Sequence, residues 1–291
     1  MGDDAGAVAI DQRDVAANGL TFSVRIGGPP EGRPVVLLHG FPQTSWCWRA
    51  QLEALGRAGY RAAAPDQRGY SAGARPLSVA DYGPDHLVAD VVALADALGM
   101  GTFDLVGHDW GGMVSWLTAA RHPDRMRSLT VLSTPHPLAL RLALGGGDPE
   151  QAKRASAMDA FRLRQVPENL LLGEDGSGSG LRDRLQASGL APEAVDEYVA
   201  ALTQPGILTA ALHWFRAMDS DAVAELPPVT TPTLYVWSTG DAALGRSAAE
   251  ATADCVRGPY EFVVLDEVSH WIPEAAPERL TELLTAHLST T

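Results

Sequence analysis

Short, continuous apolar runs alternate with amphipathic segments along this chain, and that rhythm limits the fold more than any other feature. The run at 34–40 reads Pro-Val-Val-Leu-Leu-His-Gly, too apolar for a strand with one wet face. Runs of this kind suit strands buried on both sides, as in a parallel sheet. Others follow at Tyr60–Pro65, Phe103–Gly107 and Ser128–Ser133. Between them, 45–58 and 111–121 read as helices, and 84–98 spaces its apolar residues three and four apart. Strands alternating with helices predict a parallel sheet with right-handed crossovers. Upstream, Val8 and Ile10, then Leu20, Phe22, Val24 and Ile26, alternate on either side of Asn18-Gly19, a hairpin signal.

The rhythm stops near residue 136 and returns at Pro232–Trp237 and Tyr260–Leu265, with a last helix over about 277–288. Residues 136–228 read as helical or irregular, with glycine-rich stretches at 145–147 and 173–180. The predicted organisation is therefore an α/β core, 1–135 plus 229–291, carrying an inserted α-helical cap over 136–228. Loop composition alone fits both a passive insertion and a lid over a pocket.

Composition narrows the partners. Asp and Glu number 36 against 22 Lys and Arg, a net charge of −14, so phosphate backbones and anionic membranes are poor matches. A small neutral organic substrate is expected, and of macromolecular partners only a homodimer is left open. The two cysteines, Cys47 and Cys255, lie far apart, without the spacing of a zinc site or a redox pair. Neither a metal-ligand cluster nor a dinucleotide motif is visible, so no metal and no cofactor are expected. The first residues carry acids where a secretion signal carries Lys or Arg, and no apolar run approaches 18 residues. A reduced, cytoplasmic setting is the expectation.

The chemistry is concentrated in Gly107-His-Asp109-Trp-Gly111, which follows a predicted strand and opens a predicted helix. Its spacing is that of the nucleophile elbow Gly-x-Ser-x-Gly, with Asp109 where serine would stand. An Asp at a strand–helix junction commonly does no more than cap the helix. Here further features occur in the order the elbow demands. His39-Gly40-Phe41-Pro42 follows an early strand, so the backbone N–H groups of Phe41 and Trp110 are the candidate oxyanion hole. Asp241 lies just past the returning strand, although an Asp after a Gly is often only a turn residue. His270 lies past the last strand. Asp66 reads as a structural loop residue, which leaves Asp241 as the orienting acid.

The runs HGFP, DQRGYS, GHDWGG and STPHP, with His270-Trp271, resemble the epoxide hydrolases of the α/β-hydrolase superfamily. Haloalkane dehalogenases, their close cousins, share the Asp elbow. The resemblance covers most of the chain. It implies an α/β-hydrolase fold and substrate-binding roles for His136, Trp271 and the cap run His213-Trp214-Phe215. It also implies a cap tyrosine as the acid for ring opening, in a run that here reads His213-Trp-Phe-Arg216. The tyrosine is replaced by Phe215, and none stands near Ser156-Ala-Met158. Tyr198 reads as a packing residue, and His213 and the Trp214 indole are alternative donors.

A carboxylate gains little by attacking an acyl carbon, since the product is an anhydride. Attack on a strained sp³ carbon gives an alkyl ester on Asp109 and needs no base. His270 would then activate water, with Asp241 fixing its tautomer. The leading reading is epoxide hydrolysis to a vicinal diol. Carbon–halogen hydrolysis by the same ester is the alternative, weakened by Phe41 where dehalogenases place Asn and by Trp110 where fluoroacetate-type enzymes place Arg. Lactone hydrolysis in a natural-product pathway and a non-catalytic binding role complete the set.

Overall fold

The strands form one eight-stranded sheet; the first begins at Asp11, so Val8 and Ile10, read as part of it, lie just outside it. The computed structural model describes residues 8–146, 148–218, 223 and 226–291, with the side chains of 155–157 outside the description. Strands β1 (Asp11–Ala17) and β2 (Leu20–Gly27) form the expected hairpin, with Ala17 opposite Leu20. Asn18 and Gly19 both take positive φ, 48° and 72°, as a type I′ turn requires. In β2, Phe22, Val24 and Ile26 point inward, so the alternation read from the sequence is a core face and a wetter face.

The other strands are β3 (Arg33–Leu38), β4 (Tyr60–Pro65), β5 (Phe103–His108), β6 (Met126–Leu132), β7 (Thr233–Gly240) and β8 (Tyr260–Ser269). The order across the sheet is β1-β2-β4-β3-β5-β6-β7-β8. All pairs from β4 onward are parallel, and β2 joins β4 antiparallel. Strand β5 is central and buried along its whole length, which explains why its sequence shows no alternation. Its one acid, Asp104, takes a two-pronged hydrogen bond from Arg33 at 2.6 Å.

Helices α1 (Arg49–Arg57), α2 (Pro84–Ala97) and α3 (Trp110–Arg121) occupy the predicted places. The first differs in detail, because 45–48 is a tighter turn capped by Thr44 and only then does α1 begin. Between β6 and β7 come α4 (Pro137–Gly145), α5 (Pro149–Asp159), α6 (Val166–Leu172), α7 (Ser179–Ala187), α8 (Pro192–Leu202) and α9 (Ile207–Ala217). No strand occurs there among the described residues. After β7 follow α10 (Arg246–Ala251), α11 (Ile272–Ala275) and α12 (Pro277–Thr290).

One strand is longer than its apolar run suggests. Strand β8 continues past Leu265 through Asp266 and Glu267 to Ser269. The register breaks between Ser238 and Gly240, and Glu267 takes a φ of 59°. The extension lifts the chain above the sheet edge and delivers His270 to the same end as Asp109 and Asp241. Helix α9 is tied to the sheet domain by a specific bond, Trp214 Nε1 donating to the carbonyl of Arg68 at 2.9 Å. Arg68 itself pairs with Asp90 through two 2.7 Å bonds, both side chains buried.

Candidate active site

The site stands where β3, β5, β7 and β8 end. At the turn from β5 to α3, Asp109 adopts φ 51° and ψ −119°, outside the usual basins for a residue with a Cβ. Such a conformation costs on the order of 1–3 kcal/mol and persists only where the surroundings enforce it. They do so by close packing. A Cβ on Gly111 would lie 2.1 Å from the carbonyl oxygen of Leu38. A Cβ on Gly40 would lie 2.3 Å from Cβ of Asp109. The glycines of both motifs are thus explained by backbone contact between the β3 loop and the elbow.

The Asp109 side chain does not cap α3 in the usual way. Its Oδ1 accepts the Phe41 N–H at 2.8 Å, and its Oδ2 lies 3.5 Å from Nε2 of His270. The backbone N–H of Trp110 also stabilises the carboxylate. The main chain is anchored separately: Thr134 donates its hydroxyl to the Asp109 carbonyl at 2.7 Å. On the far side of the imidazole, Nδ1 of His270 meets Oδ2 of Asp241 at 2.8 Å. The other oxygen of Asp241 accepts the N–H groups of Ala243 and Leu244 at 2.7 and 2.9 Å. This fully satisfied carboxylate fixes the ring and its tautomer.

The electrostatics follow from that geometry. Burial opposes a charge on His270, but Asp241 and Asp109 outweigh it and push its pKa up to about 10. Burial also opposes ionisation of Asp109, yet the facing imidazolium holds its carboxyl below the usual range. The two form an ion pair across the site at neutral pH.

Two cavities meet at Asp109, of about 200 and 230 Å³. Phe215 and Met158 line both. The first also has Phe41, Phe161, His270 and Trp271, and the second Trp110, Met113 and Leu140. The walls are mostly apolar, with charged side chains at the rims. Of the expected substrate-binding residues, Phe215 and Trp271 face this space. Trp271 is held by its indole N–H, which donates to Ser188 Oγ at 2.8 Å.

The other three do not reach it. His136 caps α4, its Nδ1 accepting the Leu138 N–H at 3.2 Å, while its ring packs on Trp116. Burial lowers its pKa to about 4. His213 turns toward Tyr82 (ring centroids 5.1 Å apart) and Arg216. Trp214 spends its N–H on Arg68. The helical register that brings Phe215 to the cavity turns its two neighbours away. Asp66 is structural as expected, accepting the Ser45 N–H at 2.7 Å.

A buried polar chain behind the site went unread in the sequence. His108 contacts Gln43 Oε1 through Nδ1 and the His270 carbonyl through Nε2, both at 2.8 Å. Gln43 donates to Glu274 at 2.7 Å, and Tyr198 donates to the same carboxylate at 2.5 Å. Burial raises the Glu274 pKa to about 7. Tyr198 lines neither cavity; it is committed to Glu274, in keeping with its reading as a packing residue. The only available signals were Gln43 beside HGFP and His108 inside GHDWGG, and neither names Glu274 as the partner. Among the described residues, no group of three or more His, Cys, Asp or Glu could hold a metal ion. No helix among them is long and apolar enough to cross a membrane.

Known proteins are similar to this chain in sequence and fold. The family model for the alpha/beta hydrolase fold matches residues 33–277. An AB hydrolase superfamily protein of Bacillus subtilis, YfhM, is 35% identical over 280 residues, spanning 94% of this chain and 96% of its own. Epoxide hydrolase A of Mycobacterium tuberculosis is 30% identical over 318 residues, 96% of this chain and 97% of its own. A solved structure described among novel epoxide hydrolases from hot-environment metagenomes superposes with a TM-score of 0.87 at 29% identity. It covers 96% of this chain and 99% of that one. With an Asp at the elbow and relatives of that length and identity, the chain belongs to the α/β-hydrolase family, in its epoxide hydrolase-like branch.

Proposed function

We propose that this protein opens an epoxide to a vicinal diol through an ester on Asp109. The observation that carries the reading is the pairing of Asp109 Oδ2 with His270 Nε2, 3.5 Å apart in an apolar cavity. Asp109 is ionised without help from a base and attacks a ring carbon. The ester carbonyl then occupies the place where the Phe41 and Trp110 N–H groups converge. Water activated by His270 attacks that carbonyl carbon, and the same N–H groups stabilise the oxyanion. One such donor is worth about 10²–10³ in rate. Asp241 holds the imidazole in place and balances its charge. The segment 136–228 acts as a cap on the core formed by 1–135 and 229–291, and Phe215 and Trp271 wall the substrate. A neutral organic epoxide matches the apolar lining, and relatives that bear the name epoxide hydrolase support the substrate class.

The test is isotopic. In a single turnover in heavy-oxygen water, the diol stays unlabelled and Asp109 gains the heavy atom, read by peptide mass. Label entering the diol in that first turnover would eliminate the ester. Carbon–halogen hydrolysis through the same ester is the second reading, supported by the largely apolar cavities that meet at Asp109. Halide release from chlorinated or brominated alkanes, set against diol formation from aryl epoxides, separates the two.

A further inference from the structure

Opening an epoxide leaves an oxygen that needs a proton, and the cavity walls hold few groups able to give one. The Ser188 hydroxyl is directed to the Leu185 carbonyl at 2.7 Å, and the Trp271 indole N–H to Ser188. The Thr134 hydroxyl is directed to the Asp109 carbonyl. Arg141, Asp159, Arg162 and Arg184 are exposed at the rims, and the Trp110 indole is far too weak an acid. His213 and Trp214 are turned away, as described. Among the described residues that line the cavities, this leaves Nε2 of His270.

Building on the epoxide reading above, we propose that His270 is the acid of the first half-reaction as well as the base of the second. The imidazole faces Asp109, Asp241 and His108, whose ring centroid is 4.9 Å away. The two carboxylates keep it charged at neutral pH. A charged ring cannot take a proton from water, so it must lose one before hydrolysis begins. Ring opening provides the acceptor.

The steps balance. Asp109 Oδ2 forms a bond to the ring carbon from the face opposite the breaking C–O bond, whose electron pair stays on the oxygen. The freed oxygen turns about the C–C bond until it lies gauche to the new ester, beside Nε2, and takes its proton. The result is a hydroxy-ester and a neutral His270. Without that proton the oxygen would reclose the ring and expel Asp109. In the second half, Nε2 takes a proton from the attacking water. Collapse of the tetrahedral species releases the diol, its leaving oxygen taking the proton of the new carboxyl, and restores the Asp109–His270 ion pair.

Three proteins decide it, each mixed with styrene oxide for a single turnover and read by intact mass and diol assay. The wild type should form diol. His270→Gln should accumulate covalent adduct at least about a hundredfold more slowly than the wild type alkylates, because the unprotonated oxygen recloses the ring and expels Asp109 before the adduct is trapped. His270→Gln combined with Phe215→Tyr should regain adduct formation and then stall, because a donor has been supplied at the cavity wall but no base. Adduct accumulating in His270→Gln at the wild-type rate would overturn the acid role and leave the epoxide reading intact. Adduct in neither variant would also overturn it, assigning His270 to the placement of Asp109. A wild type that yields neither adduct nor diol would remove the epoxide reading and this proposal with it.

Discussion

At the scale of single residues, the site is set by close contacts that tolerate no added atom. Gly40 passes so near Asp109 that a methyl group would overlap its Cβ. Gly40→Ala is therefore expected to lower kcat/KM of epoxide hydrolysis by a hundredfold or more, with the fold intact by circular dichroism. The cause is displacement of the Phe41 N–H from Asp109. Asp241→Asn removes the charge that most raises the His270 pKa. The ring should then lose its proton well below a pH of about 10. The alkaline limb of the alkylation rate should move toward neutral pH, measured by single-turnover quench flow. Asp109, Asp241 and His270 were legible because a tight turn, a strand end and their order along the chain constrain residue type. His136 was not, since its role as a helix cap depends on where the chain turns after β6.

At the scale of elements, one helix decides which aromatics line the cavity. The sequence of α9 places His213, Trp214 and Phe215 side by side, and consecutive residues of a helix point about 100° apart. Only Phe215 enters the cavity, resting against Phe41 and Trp110 with ring centroids 5.2 and 5.0 Å away. Phe215→Tyr should add a second proton donor there and raise epoxide turnover several-fold, measured as initial diol formation. An unchanged rate would mean that His270 already saturates the proton demand. Which of the three aromatics pointed inward was not legible, because all are apolar enough to be buried. Residues 260–265 showed the start of β8 but not its continuation to Ser269, since Asp266 and Glu267 break the apolar run while the backbone still pairs.

At the scale of the whole molecule, the buried Glu274 links folding to pH. Burial raises its pKa from 4.5 to about 7, so the folded protein holds this proton more tightly than the unfolded chain. The stabilisation is complete below about pH 4.5 and is lost as pH rises through 7. The loss is on the order of 3 kcal/mol, at 1.36 kcal/mol for each pKa unit. Urea denaturation at several pH values should show this fall in the wild type and a flatter profile in Glu274→Gln, which keeps an acceptor for Tyr198 and Gln43. By itself the sequence determined the alternation of strands and helices, the interruption near 136, and the order of Asp109, Asp241 and His270. Those follow from local hydrophobic pattern and turn chemistry, which neighbouring residues encode. Only the tertiary structure decided the distances between the three, the apolar cavity above them, and the chain from His108 through Gln43 to Glu274. These arise where residues far apart in sequence come into contact, and there the partner of a buried polar group is chosen by packing.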